Sequence, residues 1–144
     1  MADYYITWLR ARGFDISNLE SRAFNGNTPL LLAALEGDVR VVKRLLEAGA
    51  SLYAVNNDFN GVLFNACYAD NTEIIELLVA AGADIDDINE EGTTALMYAA
   101  SAGRSACVAT LLALGSDTAM VNEDGFKAVE YAANREVLGL LRHA

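Results

Sequence analysis

Large apolar residues recur along the chain with the spacing of amphipathic helices. Three segments carry the clearest stripes: Val41–Val42–Leu45–Leu46, Ile74–Ile75–Leu77–Leu78 and Cys107–Val108–Leu111–Leu112. Side chains spaced in this way share one face of an α-helix, so each segment predicts a helix that buries that face. A glycine follows each stripe, at Gly49, Gly82 and Gly115, as is typical where a helix ends in a left-handed residue.

A second helical pattern, richer in small residues, precedes each of these stripes. Thr28 is predicted to cap the first such helix, with Pro29 at the first helical position, where its fixed φ fits. Thr94 and Ala95 repeat the arrangement. Alanine recurs inside these helices at one constant step, at Ala33, Ala66, Ala99 and Ala132. We call the constant number of residues between equivalent positions the repeat step. Such a constant interval indicates stacked repeats that bury their apolar faces against one another.

The positions that the units share carry a specific resemblance. In the first unit they are Gly26, Thr28–Pro29–Leu30, Ala33–Ala34, Gly37, Val41–Val42, Leu45–Leu46 and Gly49–Ala50. This pattern resembles the ankyrin repeat over about residues 23–144. The resemblance implies an all-α solenoid of stacked helix-turn-helix units, with loop or β-hairpin fingers between them and helical caps at both ends. The repeat step places an N-terminal cap at 1–22, repeats at 23–55, 56–88 and 89–121, and a shortened capping repeat at 122–144.

The first residues are expected to close one end of the array. Tyr5, Trp8 and Leu9 lie on a predicted helix from Tyr4 to Arg10, where they can cover the exposed end of the stack. A docking or self-association patch is the alternative interpretation of the same aromatic side chains.

The second unit departs from the pattern of the others. Phe59 stands where the other units have a loop glycine, Gly61–Val62 replaces Thr28–Pro29, and Asp70 replaces the glycine between the helices. Either Asn60–Gly61 has become the turn or the finger is distorted, and both options leave Phe59 projecting or only partly buried. Drift in a stable scaffold and a loop shaped around a partner remain the two explanations.

The resemblance implies that partners bind the concave face formed by the finger tips and the first helix of each unit. The residues predicted to contact a partner are Phe24, Asn25, Asn27, Asn57, Asp58, Phe59, Asn60, Tyr68, Glu90, Glu91, Thr93, Ser101, Glu123, Asp124 and Phe126. Aromatic members can anchor in pockets, and acidic residues gather from Asp84 to Glu91. These features favour another protein with a basic, partly apolar patch, although the acidic cluster is equally consistent with a solvated face.

Charge narrows the range of partners. Twenty acidic residues against ten basic ones give a formal net charge of −10. Such a balance repels phosphate, so neither nucleic acid nor a membrane is an expected partner. No apolar run is long enough to span a bilayer, and the segment MADYYITWLRARG shows no export signal. We therefore expect a soluble, cytoplasmic protein that is monomeric on its own.

The sequence offers little chemistry of its own. Cys67 and Cys107 occupy core-type positions, as buried free cysteines in a reducing compartment would. The chain carries no phosphate-binding loop, metal-binding motif or nucleophile with a histidine partner, so no cofactor, metal or enzymatic activity is expected. The predicted function is a protein–protein interaction module acting as adaptor, regulator or inhibitor. A structural, self-assembling role through the aromatic N-terminal end is the alternative.

Overall fold

A computed structural model describes residues 3–144, so the first two residues of the predicted N-terminal cap lie outside the described range. Within this range there are eight α-helices: α1 (Tyr4–Ala11), α2 (Pro29–Glu36), α3 (Val39–Glu47), α4 (Val62–Tyr68), α5 (Thr72–Ala80), α6 (Ala95–Ser101), α7 (Ser105–Ala113) and α8 (Arg135–Arg142). Two short 3₁₀ turns span Phe24–Gly26 and Ala128–Tyr131. The described residues form no strand, only an isolated antiparallel bridge between Ile88 and Thr94. The predicted all-α repeat fold is confirmed, and its fingers are loops.

Side-chain caps set where most of the helices begin. The Thr28 hydroxyl accepts a hydrogen bond from the Leu31 amide at 3.3 Å, and Thr94 does the same for Met97 at 3.2 Å. These bonds satisfy amides that a helix N-terminus leaves unpaired. At the start of α4 the equivalent residue is Gly61, which has no side chain to offer, so this helix begins without such a cap.

The helices stack in two layers. Inner helices α2, α4 and α6 pack side by side, and outer helices α3, α5 and α7 form the second layer behind them. Ala33, Ala66 and Ala99 are fully buried in the inner layer, where a small side chain allows neighbouring helices to approach closely. One hydrophobic core runs through all the repeats as a result.

The N-terminal helix covers one end of this stack. Helix α1 packs on α3, and Tyr5, Trp8 and Leu9 are buried there. The Trp8 ring stacks on Phe14 with centroids 5.9 Å apart. Burial of these side chains supports the end-capping interpretation of the aromatic group.

The two cysteines are buried, as predicted, but they are not independent of each other. Cys67 on α4 and Cys107 on α7 share a hydrogen bond, and the Cys107 thiol also donates to the Asp70 carboxylate at 3.3 Å. The bond to Cys107, together with burial, raises the pKa of Cys67 well above its ordinary value. Sequence spacing did not reveal this pair, because the repeats bring together residues that lie far apart in the chain.

Candidate partner-binding surface

An asparagine builds each of the last three fingers, which comprise residues 56–60, 89–93 and 122–126. The side-chain oxygens of Asn56, Asn89 and Asn122 each accept hydrogen bonds from the amides two and four residues further on, at 2.9 to 3.1 Å. Asparagine suits this role because its side chain mimics a backbone turn. The three asparagines are separated by the same repeat step as the alanines. This recurrence is a sequence signal for the fingers that the predictions above do not include.

Asn27, at the base of the first finger (residues 23–27), is not on the surface. Its side chain is fully buried, accepts hydrogen bonds from Asn56 at 3.2 Å and Asn65 at 3.4 Å, and donates to the Phe24 carbonyl at 2.9 Å. The prediction that Asn27 contacts a partner is therefore wrong. Its role is to tie the first finger to the second and to α4.

The concave face forms a groove of two adjoining depressions. One is lined by Asn25, Leu35, Asn56, Asp58, Asn60, Phe64, Asn65, Tyr68 and Tyr98. The other is lined by Asn60, Phe64, Asn89, Glu91, Thr93, Met97, Tyr98, Ser101, Asn122, Asp124 and Tyr131. Phe64 and Tyr98 belong to both, and their ring centroids lie 5.8 Å apart. The groove therefore has a continuous aromatic floor contributed by the inner helices.

The structure brings together about half of the residues predicted to contact a partner. Asn25, Asp58, Asn60 and Tyr68 line the first depression, and Asn60, Glu91, Thr93, Ser101 and Asp124 line the second. Phe126 lies beside the groove, edge-to-face on Tyr131 with centroids 5.8 Å apart. Phe24, Asn57, Glu90 and Glu123 line neither depression.

The aromatic floor was not among the predicted contact residues. Tyr98 and Tyr131 immediately precede the recurring alanines Ala99 and Ala132, and Phe64 lies two positions before Ala66. Ala66 and Ala99 are fully buried, and Phe64 and Tyr98 on the same helices lie at the edge that faces the fingers. Tyr98 and Tyr131 stand one repeat step apart, so the sequence contained a signal for these two rings.

Negative charge lines the finger side of the groove. Asp58, Glu91 and Asp124 occupy the same position in successive fingers. Asp58 accepts a hydrogen bond from the Asn25 side chain at 2.7 Å, and none of the three carboxylates forms an ion pair within residues 3–144. On the floor, burial raises the pKa of Tyr98 above its ordinary value. The groove thus combines apolar rings with carboxylates that lack cationic partners among the described residues.

Phe59 occupies a left-handed conformation with φ of 62°, as glycines do at the same position of the other fingers. Gly61 is extended, with φ of −90° and ψ of −175°. The proposed takeover of the turn by Asn60–Gly61 is therefore wrong: the finger keeps its shape, and Phe59 adopts the glycine geometry. Its side chain projects as expected, with 51% of its surface exposed.

The Phe59 side chain lies outside the concave groove. It lines a separate inter-loop cleft, which is formed by Leu52, Tyr53, Val55, Phe59, Gly61, Val62, Leu63, Phe64, Ala83, Asp84, Asp87, Ile88, Asn89 and Ala95. Only Phe64 and Asn89 border both the cleft and the groove.

The acidic cluster predicted around the third finger is divided among several sites. Asp84 and Asp87 border the inter-loop cleft, whereas Glu91 lies in the groove. Asp86 accepts a hydrogen bond from the Asp117 amide of the next repeat at 2.9 Å. The cluster is therefore not one binding patch.

Comparisons with known proteins agree with this architecture. The family model for ankyrin repeats (3 copies) matches residues 4–89 and 63–144. A solved structure, the ankyrin repeat domain of Bcl-3, described as a unique member of the IkappaB protein family, is similar with a TM-score of 0.80 and 29% identity. The match covers 87% of this chain and 55% of that one, so the chain spans about half the length of its structural relative. No curated protein sequence matches the chain.

Two further observations concern the described residues. Between residues 3 and 144 no helix is long and apolar enough to cross a membrane, and the same part of the chain contains no cluster of potential metal ligands.

The family match extends over both ends of the stack and includes α1. The chain belongs to the ankyrin repeat family, whose repeats form a non-enzymatic scaffold for binding other proteins.

Proposed function

We propose that the concave groove binds a basic, partly apolar segment of another protein, and that the chain serves as an adaptor, regulator or inhibitor. The observation that carries this proposal is the aromatic floor bordered by one carboxylate in each of the last three fingers. Phe64, Tyr98 and Tyr131 offer rigid rings, and rings of this kind supply much of the binding free energy at protein interfaces. The groove is formed before binding, which lowers the ordering cost.

The repeat spacing suggests how such a segment would lie. Asp58, Glu91 and Asp124 recur once per repeat along the groove. Packed helices lie about 8–10 Å apart, and an extended chain advances about 3.3 Å per residue. Successive carboxylates would therefore pair with Lys or Arg side chains about three residues apart in an extended segment.

Binding of synthetic peptides tests the proposal. The test peptide is labelled and extended, with Lys at every third position and Leu between the lysines. Fluorescence anisotropy measures its affinity and that of two control peptides. One control has the same composition with all lysines in a block, and the other has Glu in place of Lys. The every-third-position peptide should bind most tightly, and the Glu peptide should not bind.

Variants locate the binding on the protein. Glu91→Gln with Asp124→Asn should weaken the affinity for the Lys peptide by about tenfold at low salt, since two charge pairs are lost. Glu76→Gln on the outer face of α5 is the matched control, because it removes an exposed carboxylate away from the groove. Equal weakening by the control variant, or equal affinity for the Glu peptide, would contradict the proposal.

The alternative of self-assembly through the N-terminal aromatic end is not favoured. Tyr5 and Trp8 are buried inside the end of the stack, and only Tyr4 of the three side chains is exposed. The guanidinium of Arg40 lies over the Tyr4 ring at 3.7 Å and covers part of it.

A further inference from the structure

The inter-loop cleft gathers exposed apolar side chains that the groove does not use. Tyr53 is 71% exposed and Ile88 51% exposed, and Val55 and Phe59 are also exposed beside them. Isolated apolar residues are common on protein surfaces, but a contiguous group around a depression is typical of an interaction site.

Phe59 stands at the junction where the described residues lack the hydrogen bond that joins neighbouring fingers elsewhere. Fingers one and two are joined by a hydrogen bond from the Asn57 amide to the Asn25 carbonyl at 3.0 Å, and fingers three and four by the equivalent bond from Glu123 to Glu91 at 2.9 Å. Between fingers two and three, the residues that the structure describes form no such bond from the Glu90 amide to the Asp58 carbonyl.

The glycines at the other junctions explain this difference. A Cβ atom added at Gly26 would lie 3.3 Å from the Asn57 amide nitrogen, and one added at Gly92 would lie 3.3 Å from the Glu123 amide nitrogen. These are the amides that donate the bonds between fingers. At the second finger the corresponding residue is Phe59, whose Cβ would crowd the Glu90 amide if the next finger packed in the same way.

The border of the cleft is acidic. Asp84 and Asp87 line it, and neither carboxylate forms an ion pair within residues 3–144. Among the described residues, their side-chain oxygens accept hydrogen bonds only from backbone amides of their own loop, those of Asp86 and Ile88, both at 3.0 Å. An apolar pocket beside two carboxylates complements a bulky apolar side chain next to cations.

We infer that the inter-loop cleft is a second docking site, for a short segment of another protein in which one bulky apolar residue is flanked by Lys or Arg. The apolar side chain packs on the exposed surfaces of Tyr53, Phe59 and Ile88, and the cations pair with Asp84 and Asp87. This site is distinct from the concave groove and shares only Phe64 and Asn89 with it among the described residues, so a variant at another lining residue can alter one site and leave the other intact.

Selection of displayed random dodecapeptides tests the inference. Wild-type protein and four variants are used in parallel, and each variant is checked by its thermal unfolding curve. Ile88→Ser removes an apolar wall of the cleft. Val121→Ser is the matched control, because Val121 holds the same repeat position, is 54% exposed and lies outside the cleft. Tyr68→Ser alters only the groove.

The expected result is a set of peptides with one large apolar residue flanked by Lys or Arg. Ile88→Ser should weaken their binding by about tenfold, since one buried aliphatic contact is lost. Val121→Ser and Tyr68→Ser should change it by less than about twofold. Asp84→Asn combined with Asp87→Asn should weaken the same peptides and reduce their dependence on salt.

Three outcomes would overturn the inference. The first is that no selected peptide distinguishes wild type from Ile88→Ser, and the second is that the Ile88-dependent peptides are acidic or lack a large apolar residue. The third is concentration-dependent self-association that Ile88→Ser abolishes, since a second copy would then occupy the cleft. Peptides whose binding is weakened only by Tyr68→Ser would support the groove proposal and contradict the cleft proposal. Peptides whose binding is weakened only by Ile88→Ser would support the cleft proposal and contradict the groove proposal.

Discussion

The junctions between neighbouring fingers differ at one place in the array. Fingers one and two, and fingers three and four, are joined by a backbone hydrogen bond beside a glycine, at Gly26 and Gly92. We call these closed junctions. Fingers two and three lack that bond, have Phe59 in the glycine position and enclose the inter-loop cleft, and we call this the open junction.

One residue can thus change an array locally without changing its fold. A left-handed conformation costs a residue with a side chain about 1–2 kcal/mol, and a missing hydrogen bond costs about 1 kcal/mol. Packing of the Phe59 ring against the cleft offsets part of this cost, yet half of the Phe59 surface stays exposed. A strained residue that exposes aromatic surface is a reason to look for function at that position.

The largest expected change in the free energy of unfolding comes from substitutions in the inner helices. They test whether the opening of this junction is confined to the fingers. Ala66→Leu in the second repeat and Ala99→Leu in the third should each lower the free energy of unfolding by about 3 kcal/mol, because both alanines are fully buried between packed helices. Urea unfolding measures both. If Ala66→Leu cost less than about 1 kcal/mol while Ala99→Leu cost the full amount, the helices of the second repeat would be loosely packed as well.

Installing the second repeat's feature in the third finger should open a closed junction. Gly92→Phe should cost about 2–3 kcal/mol of unfolding free energy, from the left-handed φ and from loss of the bond between Glu123 and Glu91. Gly125→Phe is the control, because φ is also positive there but a Cβ would meet no atom within 4 Å. It should cost only the conformational part, about 1–2 kcal/mol. Equal losses in the two variants would refute the role of side-chain crowding at the junction.

The reverse change should close the open junction. Phe59→Gly should be about 1 kcal/mol more stable than Phe59→Ala, since both remove the ring but only glycine relieves the left-handed strain. Hydrogen exchange of the Glu90 amide should also slow in Phe59→Gly, as the bond to the Asp58 carbonyl forms. A Glu90 amide that exchanges as fast as in wild type would show that something other than Phe59 holds these fingers apart.

The same junction marks how far sequence reasoning reaches. The stacked helices follow from the repeat step, because buried alanines and leucines must recur in register for the repeats to pack. The departure at Phe59 was visible as well. The projection of its side chain was predicted correctly, but the position of the turn was not, because an Asn-Gly pair is a strong local turn signal and the three-dimensional constraint at position 59 is not local.

Residues of the site were harder to predict than the fold. Asn27 is a polar residue in a finger segment, which predicts exposure. Its side chain is nevertheless buried and hydrogen-bonded to Asn56 and Asn65, which lie in the next repeat. Phe64 and Tyr98 look like core residues of inner helices, but they form the groove floor. In both cases the contacts that decide exposure come from a neighbouring repeat, and one repeat's sequence does not contain them.

The smallest expected effect concerns the two thiols, which span the open junction at the level of the helices. Cys67 belongs to the second repeat and Cys107 to the third, and both are fully buried. If the opening stops at the fingers, labelling of native protein by a thiol-specific disulfide reagent near pH 8 should be at least about a hundredfold slower than in denaturant. Rapid labelling of either cysteine in the native protein would show that the opening continues into the helical layers.

The pKa of Cys67 adds a dependence on pH to this comparison. The hydrogen bond with Cys107, together with burial, raises that pKa well above its ordinary value, so the native thiol stays protonated where an unfolded one ionises. The associated stability is complete below the ordinary cysteine pKa and is lost as the pH rises toward the raised value. Cys67→Ala should therefore flatten the decline of unfolding free energy on the alkaline side, whereas Phe59→Gly should leave that slope unchanged because it acts only on the fingers. Equal flattening by both variants would couple the fingers to the thiols and contradict a junction that is open only at its edge.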